Sequence, residues 1–155
     1  MKAPQIVVFE FDGWLAKQLR DQAASRKWLL KEARQAGAAK GFLADGRPTV
    51  LFALVDPHKN PPDGLKSVAE VHRTHPDVAI VVVSDAKMPE DDRATWAATA
   101  ADLGARFVLF PPLTRPVLED LAGGLLSAVI QRTGGPAPTT PSAESEVIDL
   151  ADDDA

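Results

Sequence analysis

The chain has 155 residues, 45% hydrophobic and 25% charged, with no cysteine and a formal net charge of −5. That length suits one domain with one core, those proportions exclude a chain disordered throughout, and the lack of cysteine excludes a disulfide framework or a thiolate metal site. Residues 134–155 hold six acids (Glu144, Glu146, Asp149, Asp152, Asp153, Asp154) and no Lys or Arg, which leaves 17 basic and 16 acidic residues in 1–133 and gives no electrostatic argument for nucleic acid.

Met1 to Gln5 leads into Ile6–Phe11, an apolar run too short for a signal peptide or a membrane span; it reads as the first strand, so no membrane association is expected and the cytoplasm is the expected compartment. Asp12-Gly13 ends it and offers an N-cap to a helix over Trp14–Ala24, whose Trp14, Leu15, Gln18, Leu19 and Gln22 share one side. Ser25-Arg26 interrupts that stripe, so Lys27–Glu32 reads as a second strand. A short alanine-rich helix follows over Gln35–Ala44 and closes at Asp45-Gly46-Arg47-Pro48. Thr49–Val55 is an unbroken apolar run, as a central parallel strand covered on both faces requires.

After Asp56 comes a loop over Pro57–Pro62, then a helix with Leu65, Val68, Ala69 and Val71. Val78–Val83 is a further buried strand, ending at Ser84-Asp85. Pro89-Glu90-Asp91-Asp92 opens a helix with acids in its first turn, favourable to the macrodipole, and Gly104 ends it. Arg106–Phe110 is the fifth strand, stopped by Pro111-Pro112, and Val117–Arg132 supplies the last helix. Regular alternation predicts an α/β fold: a doubly wound, five-stranded parallel sheet between two helical layers, over residues 1–133.

In such a sheet, function collects at the carboxyl ends of the strands, where Glu10, Asp56 and Ser84 fall. Carboxylates from adjacent strands, Glu10 and Asp56, make a hard oxygen site suited to Mg²⁺. The alternative is that Asp56 caps a loop and Glu10 faces solvent. Both readings are open on residue types alone.

The spacing over residues 4–132 resembles the receiver domain of two-component response regulators. The matching residues are Asp56 after the third strand, Asp63-Gly64-Leu65 at the following helix, Gly104-Ala105 before the fifth strand and Pro111-Pro112 after it. The resemblance implies a flavodoxin-like fold, Asp56 as phosphoacceptor position, Ser84 as phosphoryl contact and Glu10 as the first acid of a metal-binding pair. It also marks departures. The family's lysine is replaced by Pro111, the second acid by Phe11 with Asp12 beside it, the aromatic switch by Val108 and the loop proline by Asn60. The segment between Ser84 and Gly104 is also longer than usual. A proline has neither the charge nor the backbone donor that phosphoryl transfer uses.

The expectation is therefore a stand-alone, phosphorylation-independent pseudo-receiver, not an enzyme, binding no cofactor or Mg²⁺ only weakly. Its partner would be a histidine kinase or another signalling protein, engaged through the last helix pair and the fifth strand; the protein itself would be a monomer or weak homodimer. The rivals are a working phosphoreceiver and a small nucleotide-binding or enzymatic α/β protein. Against the latter, no Gly-rich phosphate loop follows a strand. His58, His72 and His75 read as solvated, and Trp14, Trp28 and Trp96 as packing residues, the other reading being that Trp14 and Trp96 flank the active edge. The segment 134–155 reads as a Pro/Thr/Ser linker with an acidic end that cannot bury a core. Within it, Val147-Ile148-Asp149-Leu150 flanked by acids resembles the small-ubiquitin-modifier interaction motif and has the form of a strand that joins a sheet edge. A solubilising tail, and a tail folded back on basic residues of its own domain, are the other readings.

Overall fold

The apolar runs become the strands. In the computed structural model, which describes residues 2–10, 12–55, 61–84 and 88–133, β1 (Gln5–Phe9), β3 (Thr49–Leu54) and β4 (Ala79–Val83) form the middle of a five-stranded sheet. β2 (Leu29–Ala33) and β5 (Phe107–Leu109) are its edges, the order is β2-β1-β3-β4-β5, and all four pairings are parallel. The helices α1 (Trp14–Arg26), α2 (Ala36–Leu43), α3 (Pro61–Thr74), α4 (Glu90–Asp102) and α5 (Arg115–Thr133) make the crossovers.

Strand side chains alternate between faces, so each central strand feeds two cores. Ile6, Val8, Val50, Phe52, Val81 and Val83 pack with Leu15 and Leu19 of α1 and Leu118 and Leu126 of α5. Val7, Leu51, Ala53, Ile80 and Val82 pack with Leu43, Val68, Val71 and Trp96 from α2, α3 and α4. This is why the runs are continuously apolar rather than alternating.

The second strand forms where the broken stripe placed it. The Lys27 backbone turns into the left-handed region (φ 61°), its N–H donates to Ala24, and the Trp28 N–H donates to Ala23, closing α1 and releasing the chain into β2. Because β1 lies between β2 and β3, the chain winds outward from β1 to β2 and then back across β1 to β3, so the direction of winding reverses at β1. The resulting crevice lies at the carboxyl ends of β1 and β3, beside Glu10.

Candidate functional site

Glu10 follows β1 directly and is 1% exposed, which corrects the reading that placed it in solvent. Gly13, at φ 81°, turns the chain so that α1 begins almost on top of it. Glu10 Oε1 accepts the Leu15 N–H at 2.8 Å and Oε2 the Ala16 N–H at 2.9 Å, while Asp12 Oδ1 accepts the Trp14 N–H at 3.0 Å. Two carboxylates from the preceding loop thus satisfy the first three donors of α1, a helix with no acid in its own first turn. Burial pushes the Glu10 carboxyl above its ordinary range; the two N–H groups pull it back, and the neighbouring Asp12 carboxyl raises it further.

These residues form one end of a cleft of about 250 Å³ lined also by Trp14, Leu15, Leu54, Pro111 and Leu113. Trp14 is 38% exposed at its rim, which corrects the packing reading and matches the alternative that set it beside the active edge; Trp96, by contrast, is in the core. Leu54 and Leu113 were not distinguishable in the sequence from ordinary strand and loop apolar residues. Among the described residues, no Lys or Arg lines the cleft: Pro111 stands there instead, joined to Pro112 by a cis peptide.

Ser84 follows β4, fully buried, with its N–H on the Leu109 carbonyl at 2.9 Å. Its Oγ has no hydrogen-bond partner among the described residues. Val55 is tied to Val83 by its N–H at 2.9 Å, which fixes the end of β3 beside Ser84. Asp56 comes next in the chain but lies outside the described residues, as do Phe11, His58, Asn60 and the tail residues Val147, Ile148, Asp149 and Leu150. Val108, at the family's aromatic position, is half-buried.

As a cation site, the donor set is hard but partly engaged. Each Glu10 oxygen already accepts one N–H, so only its second lone pair, together with Asp12, is open to Mg²⁺. Among the described residues no group of three metal-binding side chains gathers.

Sheet order and crevice define a receiver-like α/β domain, and known structures agree. The chain is similar to a CheY-like response regulator receiver domain from Methanospirillum hungatei JF-1 (TM-score 0.64, 13% identity, covering 84% of this chain and 99% of that one). It is also similar to the receiver domain of NtrX from Brucella abortus (0.62, 24%, 79% and 98%) and to a response regulator from Thermotoga maritima (0.64, 16%, 81% and 99%). No protein-family model matches the chain, and no curated protein sequence matches it significantly. At these identities the likeness establishes the fold: this chain has the receiver-domain fold.

Proposed function

We propose that the chain is a receiver-like signalling domain that acts by binding another protein and does not depend on phosphorylation. Pro111 carries this reading. It lines the cleft at the position of the family's lysine, and without a cation there the charge on a transferred phosphoryl group is not neutralised. The capping of α1 by Glu10 works in the same direction, because it engages the carboxylate that would share a Mg²⁺ ion with Asp12 and Asp56. Protein binding is supported by the face of α4, β5 and α5, where Phe107 and Val117 are 46% and 49% exposed. The partner is a histidine kinase or another signalling protein, the domain is not an enzyme, and the cytoplasm is its compartment. No helix among the described residues is long and apolar enough to cross a membrane.

One observation favours a second reading, a slow phosphoreceiver with Asp56 as acceptor: the buried Ser84 hydroxyl has no partner at the edge where a phosphoryl oxygen would arrive. Incubation of the protein with acetyl phosphate and Mg²⁺, followed by intact-mass measurement, separates the two. The proposed function predicts an unchanged mass. A gain of one phosphoryl group that disappears in Asp56→Asn establishes the second reading instead.

A further inference from the structure

β2 ends the sheet, with no strand beyond it among the described residues. The Leu29 N–H donates to the Pro4 carbonyl at 2.9 Å, and the Ala33 carbonyl accepts from Glu10 at 3.1 Å, so alternate residues face β1. By the alternation of a parallel ladder, the N–H and C=O groups of Leu30 and Glu32 turn to the open edge. An open edge of this kind is a template for another strand.

The edge also carries a distinctive charge. Residues 26–34 contain Arg26, Lys27, Lys31 and Arg34 against a single acid, Glu32, although residues 1–133 as a whole are nearly neutral. Leu29 is 37% exposed, and the Lys31 ammonium stands 5.3 Å from the Phe42 ring. The opposite edge differs: β5 has three residues and packs beside α4, which opens on Glu90, Asp91 and Asp92.

From this complementarity we infer that residues 146–152 of the same chain add a sixth, parallel strand to the outer edge of β2. The segment Glu146-Val147-Ile148-Asp149-Leu150-Ala151-Asp152 has the charge opposite to that of the edge and an apolar centre. Setting Val147 beside Leu29 brings Ile148 beside Leu30, Asp149 beside Lys31 and Asp152 beside Arg34, with Glu146 beside Trp28. Two apolar pairs and two pairs of opposite charge then coincide in one register, in which Leu150 falls beside Glu32.

The connection reaches. The end of α5 lies at the edge of the sheet where the strands begin, since Val129 shares a surface hollow with Pro48 and Thr49 at the start of β3. Only α1 separates α5 from β2, packing against both. Residues 134–145 intervene between Thr133 and Glu146, and such a stretch spans up to roughly 40 Å when extended, against about 10 Å for the width of one helix. A tether of only 12 residues also gives the segment an effective concentration near the millimolar range, so modest intrinsic affinity suffices.

The test uses the full chain with Ala151→Cys, a unique thiol in a protein without cysteine, carrying a nitroxide. The inference predicts paramagnetic broadening of amide signals concentrated at Leu29–Arg34, and amide exchange at Leu30 and Glu32 slowed about tenfold relative to a Val147→Asp/Ile148→Asp chain. Lys31→Asp should abolish the localised broadening, and adding Asp149→Lys should restore it, with signals from β3 and β4 unmoved as the check on folding. Salt at about 0.5 M should weaken it in the otherwise unaltered chain. Broadening spread evenly or centred elsewhere overturns the inference. So does broadening that persists when label and isotope are on different copies, which places the segment on a second molecule.

Discussion

Replacing Glu10 by alanine tests the junction between β1 and the cleft. Its carboxylate is buried and holds the Leu15 and Ala16 N–H groups at 2.8 and 2.9 Å, so truncation leaves two donors at the start of α1 without an acceptor. Hydrogen bonds to a charged acceptor contribute about 1.5–3 kcal/mol each. The cost of burying that charge, visible in the upward displacement of the Glu10 pKa, offsets part of the total, which leaves an expected loss of about 2–3 kcal/mol. In a domain of this size each kcal/mol lowers Tm by about 3–4 °C, so the midpoint should fall by roughly 6–12 °C. Circular dichroism on heating and urea titration followed by tryptophan fluorescence measure it. Asp12→Ala is the control: Asp12 is exposed and makes one bond of this kind, to Trp14, so its loss should stay below about 1 kcal/mol. A Glu10→Ala chain within about 0.5 kcal/mol of the original would refute the assignment of Glu10 as the anchor of α1 and return its carboxylate to the cation site.

Two further outcomes follow from the same geometry. Because the Glu10 pKa is raised on folding, the folded state binds more protons than the unfolded one above about pH 4.5, and the Glu10 contribution to stability is lost as pH rises through its folded value. The stability of the original chain minus that of Glu10→Gln should therefore increase on acidification through that window; Asp45 and Glu70, whose pKa values are lowered by Arg47 and Lys40, act oppositely but equally in both proteins. A pH-independent difference contradicts the burial argument. Gly104→Ala should destabilise by about 2–4 kcal/mol in urea, because Gly104 sits at φ 120° and an added Cβ would lie within 2.5 Å of His72 Cβ; a neutral result would mean that α3 and the end of α4 separate easily.

The architecture was readable because its signals are local. Val50–Leu54 and Ile80–Val83 are apolar without interruption, which only a strand covered on both faces explains, and the receiver resemblance rested on Asp56 and Asp63-Gly64 between them and Gly104-Ala105 after the second. Even the least regular segment, Lys27–Glu32, yielded a strand, since the apolar stripe of α1 stops at Ser25. The cleft was less readable. That Glu10 bends toward Leu15 and Ala16 depends on the positive φ of Gly13, and hydrophobic periodicity carries no information about a carboxylate's direction. Trp14 had the type of a core residue but occupies the first turn of α1, at the rim of the cleft, where it is partly exposed. Pro111, by contrast, was legible: Pro111-Pro112 must end the fifth strand, and the receiver resemblance set Pro111 at the lysine position.

In the proposed function the cleft does not act as a phosphorylation switch. The most direct test is a backbone amide NMR titration of the full chain and of Asp56→Ala with Mg²⁺ and then beryllofluoride, which mimics a phosphoryl group. A phosphorylation-independent domain shows no selective displacement of the Glu10, Ser84 or Leu113 amides in either protein beyond weak, fast-exchange effects of Mg²⁺ at Glu10 and Asp12. Saturable shifts at Glu10 and Ser84 on adding beryllofluoride, absent in Asp56→Ala, would contradict it and make this domain a working phosphoacceptor despite Pro111.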